Sequence, residues 1–180
     1  LSAEPIAPTV PPARATSLAT AYVDPVYGTR LYHATEAKDG KVRMRHEYSR
    51  RQAFNANNTR FIAWDGGGAW YLYDANTFQK IRVLKDFAGD CEPLWHPTDP
   101  NSLYFTSLYG GMVWWRYDIA TDKKEVLFDF TGKTPWPKAT SYWTKAEGTM
   151  SADGRYLALI ATSYDNATKV NTIHGMLMFD

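Results

Sequence analysis

The chain has 180 residues, 44% of them hydrophobic, with 20 basic and 19 acidic side chains and a net charge of +1. So even a balance gives no long-range field for nucleic acid or an anionic membrane surface, and no apolar run approaches the roughly 18–20 residues a membrane span needs. A single cysteine, Cys91, excludes an intrachain disulfide and a cysteine-based zinc cluster. The length suits one domain with a sizeable core.

Residues 1–21, "LSAEPIAPTVPPARATSLATA", are rich in Ala, Pro, Thr and Ser and read as an extended linker. A segment of this kind often follows a removed signal peptide, so a secreted or periplasmic setting is expected. An arbitrary boundary is the alternative. Asp24–Thr35, "DPVYGTRLYHAT", carries a turn and then an alternating strand, read here as an orphan outermost strand over 24–35.

From there the chain repeats itself. Blades are expected over about 51–88, 91–130 and 147–180. In each, an apolar residue (Phe54, Trp95, Met150) precedes a turn, "NANN", "HPTDPN" or "SADG", built from residues that supply turn geometry. A β-rich run follows: 60–63, 103–106 and 156–160. Hairpin connections come next, "DGGG", "LYGG" and the longer "SYDNATKVNTIHG". The following strand ends in aromatic-Asp: "WYLYD", "WWRYD", "MLMFD". Tyr73 and Tyr117 lie 44 residues apart, and four short strands per unit at that spacing predict an all-β, β-propeller architecture of four-stranded blades with very little helix.

About three blades do not close a ring of about four to eight. The expected partners are therefore the remaining blades of a longer chain, or other copies of the same chain. Polysaccharide is a further candidate partner. Nucleic acid is not expected.

Inner strands converge on a propeller's channel, and registration places Arg51, Glu92 and Glu147 at equivalent positions around one mouth. His46, Tyr48 and Arg50 lie immediately before the first inner strand. His, Tyr and Arg suit β-elimination on a uronic-acid sugar. The arginine neutralises the carboxylate and acidifies the C5 proton, and a His or Tyr serves as base or acid. His46, Tyr48 and Arg51 are thus the catalytic candidates, with Arg50, Glu92 and Glu147 around them. The competing reading makes Arg50 and Arg51 salt-bridge partners of Glu92 and Glu147, with His46 and Tyr48 packed as structural residues. The insertion over 131–147 carries Trp136 and Trp143. It is either a ligand-facing loop, since aromatic faces stack on sugars, or a lid packed on the fold.

Four scattered histidines have no metal-ligand spacing, and no cofactor or metal site is expected. No G-x-S-x-G elbow or phosphate-binding glycine loop is present.

The units "WHPTDPNSLYFTS…VWWRYDIATDKKEVLF" and "MSADGRYLALIA…MLMFD" resemble TolB-like and WD-type propeller repeats over about residues 52–180. The "DPVYG" opening, the His-x-Tyr lead-in and the repeated turns also resemble propeller polysaccharide lyases of the oligogalacturonate and ulvan lyase kind. The first resemblance implies a fold that hosts many activities, and the second implies uronate chemistry at the mouth. The expectation is an exported propeller module that binds or assembles through its channel mouth or blade edges. The alternative is a carbohydrate-active propeller, a lyase or sugar binder.

Overall fold

The computed structural model describes residues 18–145 and 147–180. Twelve strands and one 3-10 turn (Ala37–Asp39) occur among them, and no helix is long and apolar enough to cross a membrane. The strands form four small antiparallel sheets. A hairpin of β1 (Ala21–Val23) and β2 (Arg30–Tyr32) precedes blade 1, built from β3 (Arg60–Trp64), β4 (Trp70–Asp74) and β5 (Lys80–Leu84). Blade 2 is the four-stranded sheet β6 (Leu94–Trp95), β7 (Ser102–Phe105), β8 (Val113–Asp118) and β9 (Lys123–Asp129). Blade 3 comprises β10 (Ser141–Trp143), β11 (Leu157–Asp165) and β12 (Val170–Phe179). The fold is that of part of a β-propeller.

Two boundaries differ from the sequence reading. Asp24 Oδ1 accepts the amides of Val26 and Tyr27, which makes residues 24–28 a turn. The strand after it pairs with Ala21–Val23 in a hairpin of its own, so the outermost strand expected over 24–35 is not an orphan and residue 21 belongs to a strand. Residues 1–17 of the expected linker lie outside the described residues. The second difference is the 131–147 insertion. It contains β10, the innermost strand of blade 3, which pairs with β11 as Ser141↔Thr162 and Trp143↔Ile160.

The aromatic-Asp repeat has a local cause. Asp74 Oδ1 accepts from Asn76 and Thr77, and Asp118 Oδ1 from Ala120 and Thr121. Each carboxylate fixes the turn into the outer strand. Asp165 does the same for the hairpin between β11 and β12.

Strand alternation then sorts side chains between layers. Leu103, Phe105 and Tyr117 of blade 2 face Ile62, Trp70 and Leu72 of blade 1. Their neighbours Tyr104 and Trp114 face Tyr142, Leu157 and Leu159 of blade 3. Tyr32 of the hairpin lies 5.5 Å from Phe78, on blade 1. Indole N–H groups tie consecutive blades across these layers. Trp95 Nε1 donates to Ala53 O at 2.8 Å and Trp114 Nε1 to Tyr142 O at 2.8 Å. A buried indole needs such a partner, and here the partner is a neighbouring blade's backbone.

Candidate functional site at the channel mouth

All three inner strands break at the same level. In blade 1, Arg45 bridges Trp64, residues 46–52 leave the sheet, and pairing resumes where Ala53 O accepts Ile62 N and Phe54 meets Phe61. In blade 3, Trp143 pairs with Ile160, residues 144–145 and 147–149 lie outside the sheet, and Met150 bridges Leu157. Blade 2 breaks more briefly. Cys91 O accepts Thr106 N, Leu94 pairs with Tyr104, and between them Glu92 adopts a left-handed backbone with φ 53°. A non-glycine residue held there is strained, and surrounding contacts must fix it. Both long excursions, "HEYSRRQ" and "TKAEGT", are polar, so they gain little from staying in a buried sheet. The polar stretch His46–Gln52, expected to lie immediately before the inner strand, is thus an interruption within it.

The two excursions meet. Arg51 donates from Nη1 to Gly148 O at 2.7 Å and from Nη2 to Thr144 Oγ1 at 2.7 Å. Its Nη2 also stands 3.5 Å from Glu92 Oε1, and its Nε 3.5 Å from Glu47 Oε2. The Arg51 side chain is 2% exposed and that of Glu92 0%. Glu92 Oε2 in turn accepts Thr144 N at 2.7 Å and Thr144 Oγ1 at 3.1 Å. One guanidinium therefore braces blade 1 to blade 3 over the broken strand of blade 2.

Two carboxyl groups, Glu47 and Glu92, stand beside this one cation, and Asp90 interacts with Glu47. Burial, opposed by Arg51 and reinforced by Asp90 and Glu92, pushes the Glu47 carboxyl up to about 8. Ionised, it would leave both buried oxygens without a donor, and Asp90 Oδ1 likewise lacks one. Burial with no donor for either oxygen, beside the like charges of Asp90 and Glu92, favours the protonated form of Glu47. Burial also raises the adjacent Cys91 thiol to about 12, which keeps it inert at neutral pH.

The rim is different. Arg50 pairs with Glu147 in the open, with side-chain exposures of 64% and 48%. Tyr48 is exposed. His46 is half-buried, and burial followed by the Arg51 charge lowers its pKa, so the imidazole is neutral at neutral pH. Of the sequence candidates, the structure joins Arg51 with Glu92 and Arg50 with Glu147. It separates the two tryptophans from them. Trp136 packs close against Gly175 of β12, where an added Cβ would come within 2.2 Å of the indole, and on the core between blades 2 and 3. Trp143 is buried in β10 and donates from Nε1 to Thr162 Oγ1 at 2.9 Å.

Thr144, Gly148, Glu47 and Asp90 were not among the sequence candidates. The available signal was compositional. "RHEYSRR" has both signs of charge and no Gly, Pro or Asn, so it is built to satisfy itself internally rather than to turn. The Arg51 guanidinium is buried and engaged by Thr144, Gly148 and Glu92. Tyr48, Arg50 and the neutral imidazole of His46 remain at the rim. Among the described residues, no group of three or more His, Cys, Asp or Glu side chains is placed to hold a metal ion.

No protein-family model and no curated protein sequence matches the chain. Solved structures do resemble it. An oligogalacturonate lyase in complex with manganese aligns with a TM-score of 0.55 at 18% identity, over 87% of this chain and 46% of the lyase. The oligogalacturonate lyase of Vibrio parahaemolyticus aligns with a TM-score of 0.52 at 16% identity, over 79% of this chain and 35% of its own. An auxiliary nutrient binding protein of Bacteroides thetaiotaomicron gives a TM-score of 0.41 at 17% identity, over 69% of this chain and 30% of its own. The chain spans less than half the length of each of these structures, and what it has in common with the two lyases is the β-propeller fold.

Proposed function

We propose that this chain is a propeller module that works by binding, through the channel-mouth end of its blades, and that its ligand is an oligosaccharide. The observation that carries the binding reading is the state of Arg51. Elimination from a uronate needs a cation free to meet the substrate's carboxylate, and this guanidinium is 2% exposed and held by Thr144, Gly148 and Glu92. What it provides instead is a fixed rim, on which Tyr48, Arg50 and Glu147 stay accessible. The saccharide ligand is supported by those hydrogen-bonding rim groups and by the fold in common with the two lyases. Isothermal titration of the protein against neutral and uronic-acid oligosaccharides tests this. Saturable binding of either class supports the reading, and no heat with any of them overturns it.

A second reading, a polysaccharide lyase, is favoured by one feature: His46 carries a neutral, half-buried imidazole two residues from the exposed Tyr48. Absorbance near 235 nm would rise as unsaturated uronate forms from polygalacturonate or ulvan. A flat trace from the protein with its ring complete would remove this reading.

Ring completion belongs to the same proposal. Further blades, in the same polypeptide or from other copies of it, complete the rim, and the Pro/Ala/Thr-rich start supports an exported, secreted or periplasmic protein with TolB-like or WD-type repeats. Sedimentation equilibrium distinguishes self-association from a monomer.

A further inference from the structure

Glu47 is the worst-matched side chain of the mouth. It is 6% exposed, and no group donates to either of its oxygens. The cation beside it, Arg51, stands 3.5 Å away without a hydrogen bond and gives its close contacts to Thr144 and Gly148 instead. We propose that residues 46–48 form a proton-operated flap on the channel wall, closed while the Glu47 carboxyl is seated beside Asp90 and Arg51 and opened when that carboxyl moves out to water. The flap belongs to the wall itself and does not depend on which ligand the mouth takes.

Fixed points lie on both sides of the flap. Before it, Arg45 N donates to Trp64 O at 2.9 Å and Trp64 N to Arg45 O at 2.8 Å, while the Arg45 guanidinium lies 4.4 Å from the Trp64 ring centroid. After it, Arg51 is locked between blades, and Ala53 O accepts Ile62 N at 3.1 Å. A turn in which Tyr48 O accepts Arg51 N joins the flap to this second anchor. Tyr48 is exposed and His46 half-buried, so the seating of Glu47 is the buried contact that holds the segment down.

The seat is a poor place for a charge. Arg51 faces Glu47 from its own segment, and Asp90, Cys91 and Glu92 face it from blade 2. The blade 3 excursion carries Lys145, whose ammonium lies 5.8 Å from the Trp143 ring centroid, and Glu147, which pairs with Arg50 in the open. Ionisation of Glu47 adds a further negative charge to those of Asp90 and Glu92 in a desolvated place, and a swing to solvent relieves that cost. The exit is short, because the next residue, Tyr48, already stands in water. The seated carboxyl keeps its proton up to about 8 and a freed one only to 4.5, so opening is favoured increasingly as pH rises between those values. His46 acts in the opposite sense, since burial and then Arg51 disfavour its protonated form.

Cys91, buried beside Glu47, is the natural probe. The full chain, as wild type and E47Q, is labelled with methyl methanethiosulfonate between pH 6 and 9.5, and modification of the single thiol is followed by mass. Glutamine keeps the shape and carries no charge at any pH. Ionisation of the thiol and of His46 enters both rates, so the wild-type-to-variant ratio isolates Glu47. That ratio should rise about tenfold per pH unit from pH 6 to 8 and level off above it. D90N removes one like charge and is a second comparison that does not need E47Q: it should label more slowly than wild type at pH 8. Global unfolding also exposes the thiol, so the rates are repeated in low urea, to which an opening that exposes little surface is nearly insensitive. A ratio that stays flat from pH 6 to 8, a D90N rate no slower than wild type, or wild-type labelling that follows urea as steeply as global unfolding overturns the flap.

Discussion

Arg50 and Arg51 are neighbours in the chain and have opposite environments. Arg50 extends over the rim to Glu147, both largely in water. Arg51 turns inward, gives up nearly all its exposure, and bonds to two blades other than its own. The difference teaches that charge at the mouth is divided between a structural interior and an accessible edge, one residue apart. An exposed pair gains little because water screens it, whereas a buried one is costly to break because its partners lose the charge that balances them.

The sharpest way to break the comparison is to remove each arginine in turn. Arg51→Ala leaves Glu92 buried without its guanidinium and is expected to lower unfolding stability by about 3–5 kcal/mol in urea titrations. If it costs no more than its neighbour, the brace is not an interior one. The next effect depends on pH. The Glu47 carboxyl holds its proton to about 8 when folded, against 4.5 for an ordinary glutamate. Between those values the unfolded chain has released the proton and the native protein has not. Stability from this group is therefore full below pH 4.5 and lost as pH rises toward 8. The slope is about 1.4 kcal/mol per pH unit. Glu47→Gln should remove that slope, measured as the wild-type-minus-variant difference across pH 5–8. A smaller cost, about 1 kcal/mol, is expected for Trp95→Phe, which keeps the packing and leaves Ala53 O without the indole N–H. Smallest is Arg50→Ala, within about 0.5 kcal/mol by the same titration. A larger loss would mean that the rim pair is part of the brace.

The propeller repeat was legible because its signals are local. An Asp that caps its own turn, as in Asp74 and Asp118, is written in four consecutive residues, and period-two alternation sorts Leu103 from Tyr104 without knowledge of the neighbours. The inner strands were not legible in the same way. A strand that pairs at Arg45, leaves for seven residues and pairs again at Phe54 reads as a polar lead-in followed by a strand. In blade 3 the same break made Ser141–Trp143 look like part of an inserted loop. Arg51 and Glu92 each lie within a break of their own inner strand, and the structure brings them to 3.5 Å of each other. That Arg51 would point inward and Arg50 outward depends on Gly148 and Thr144, nearly a hundred residues away, and no local pattern carries it.

In repeat architectures each unit ordinarily touches only the next, so that units can fray and unfold one by one from an end. The contact from Arg51 to Gly148 skips a unit. It makes the middle blade the content of a closed loop, and neither outer blade can peel away without opening that loop. These three blades should therefore unfold in one cooperative step rather than in a sequence. The closure also spans a long stretch of chain, so it forms late in folding, after its two ends have been brought together by the blades between them.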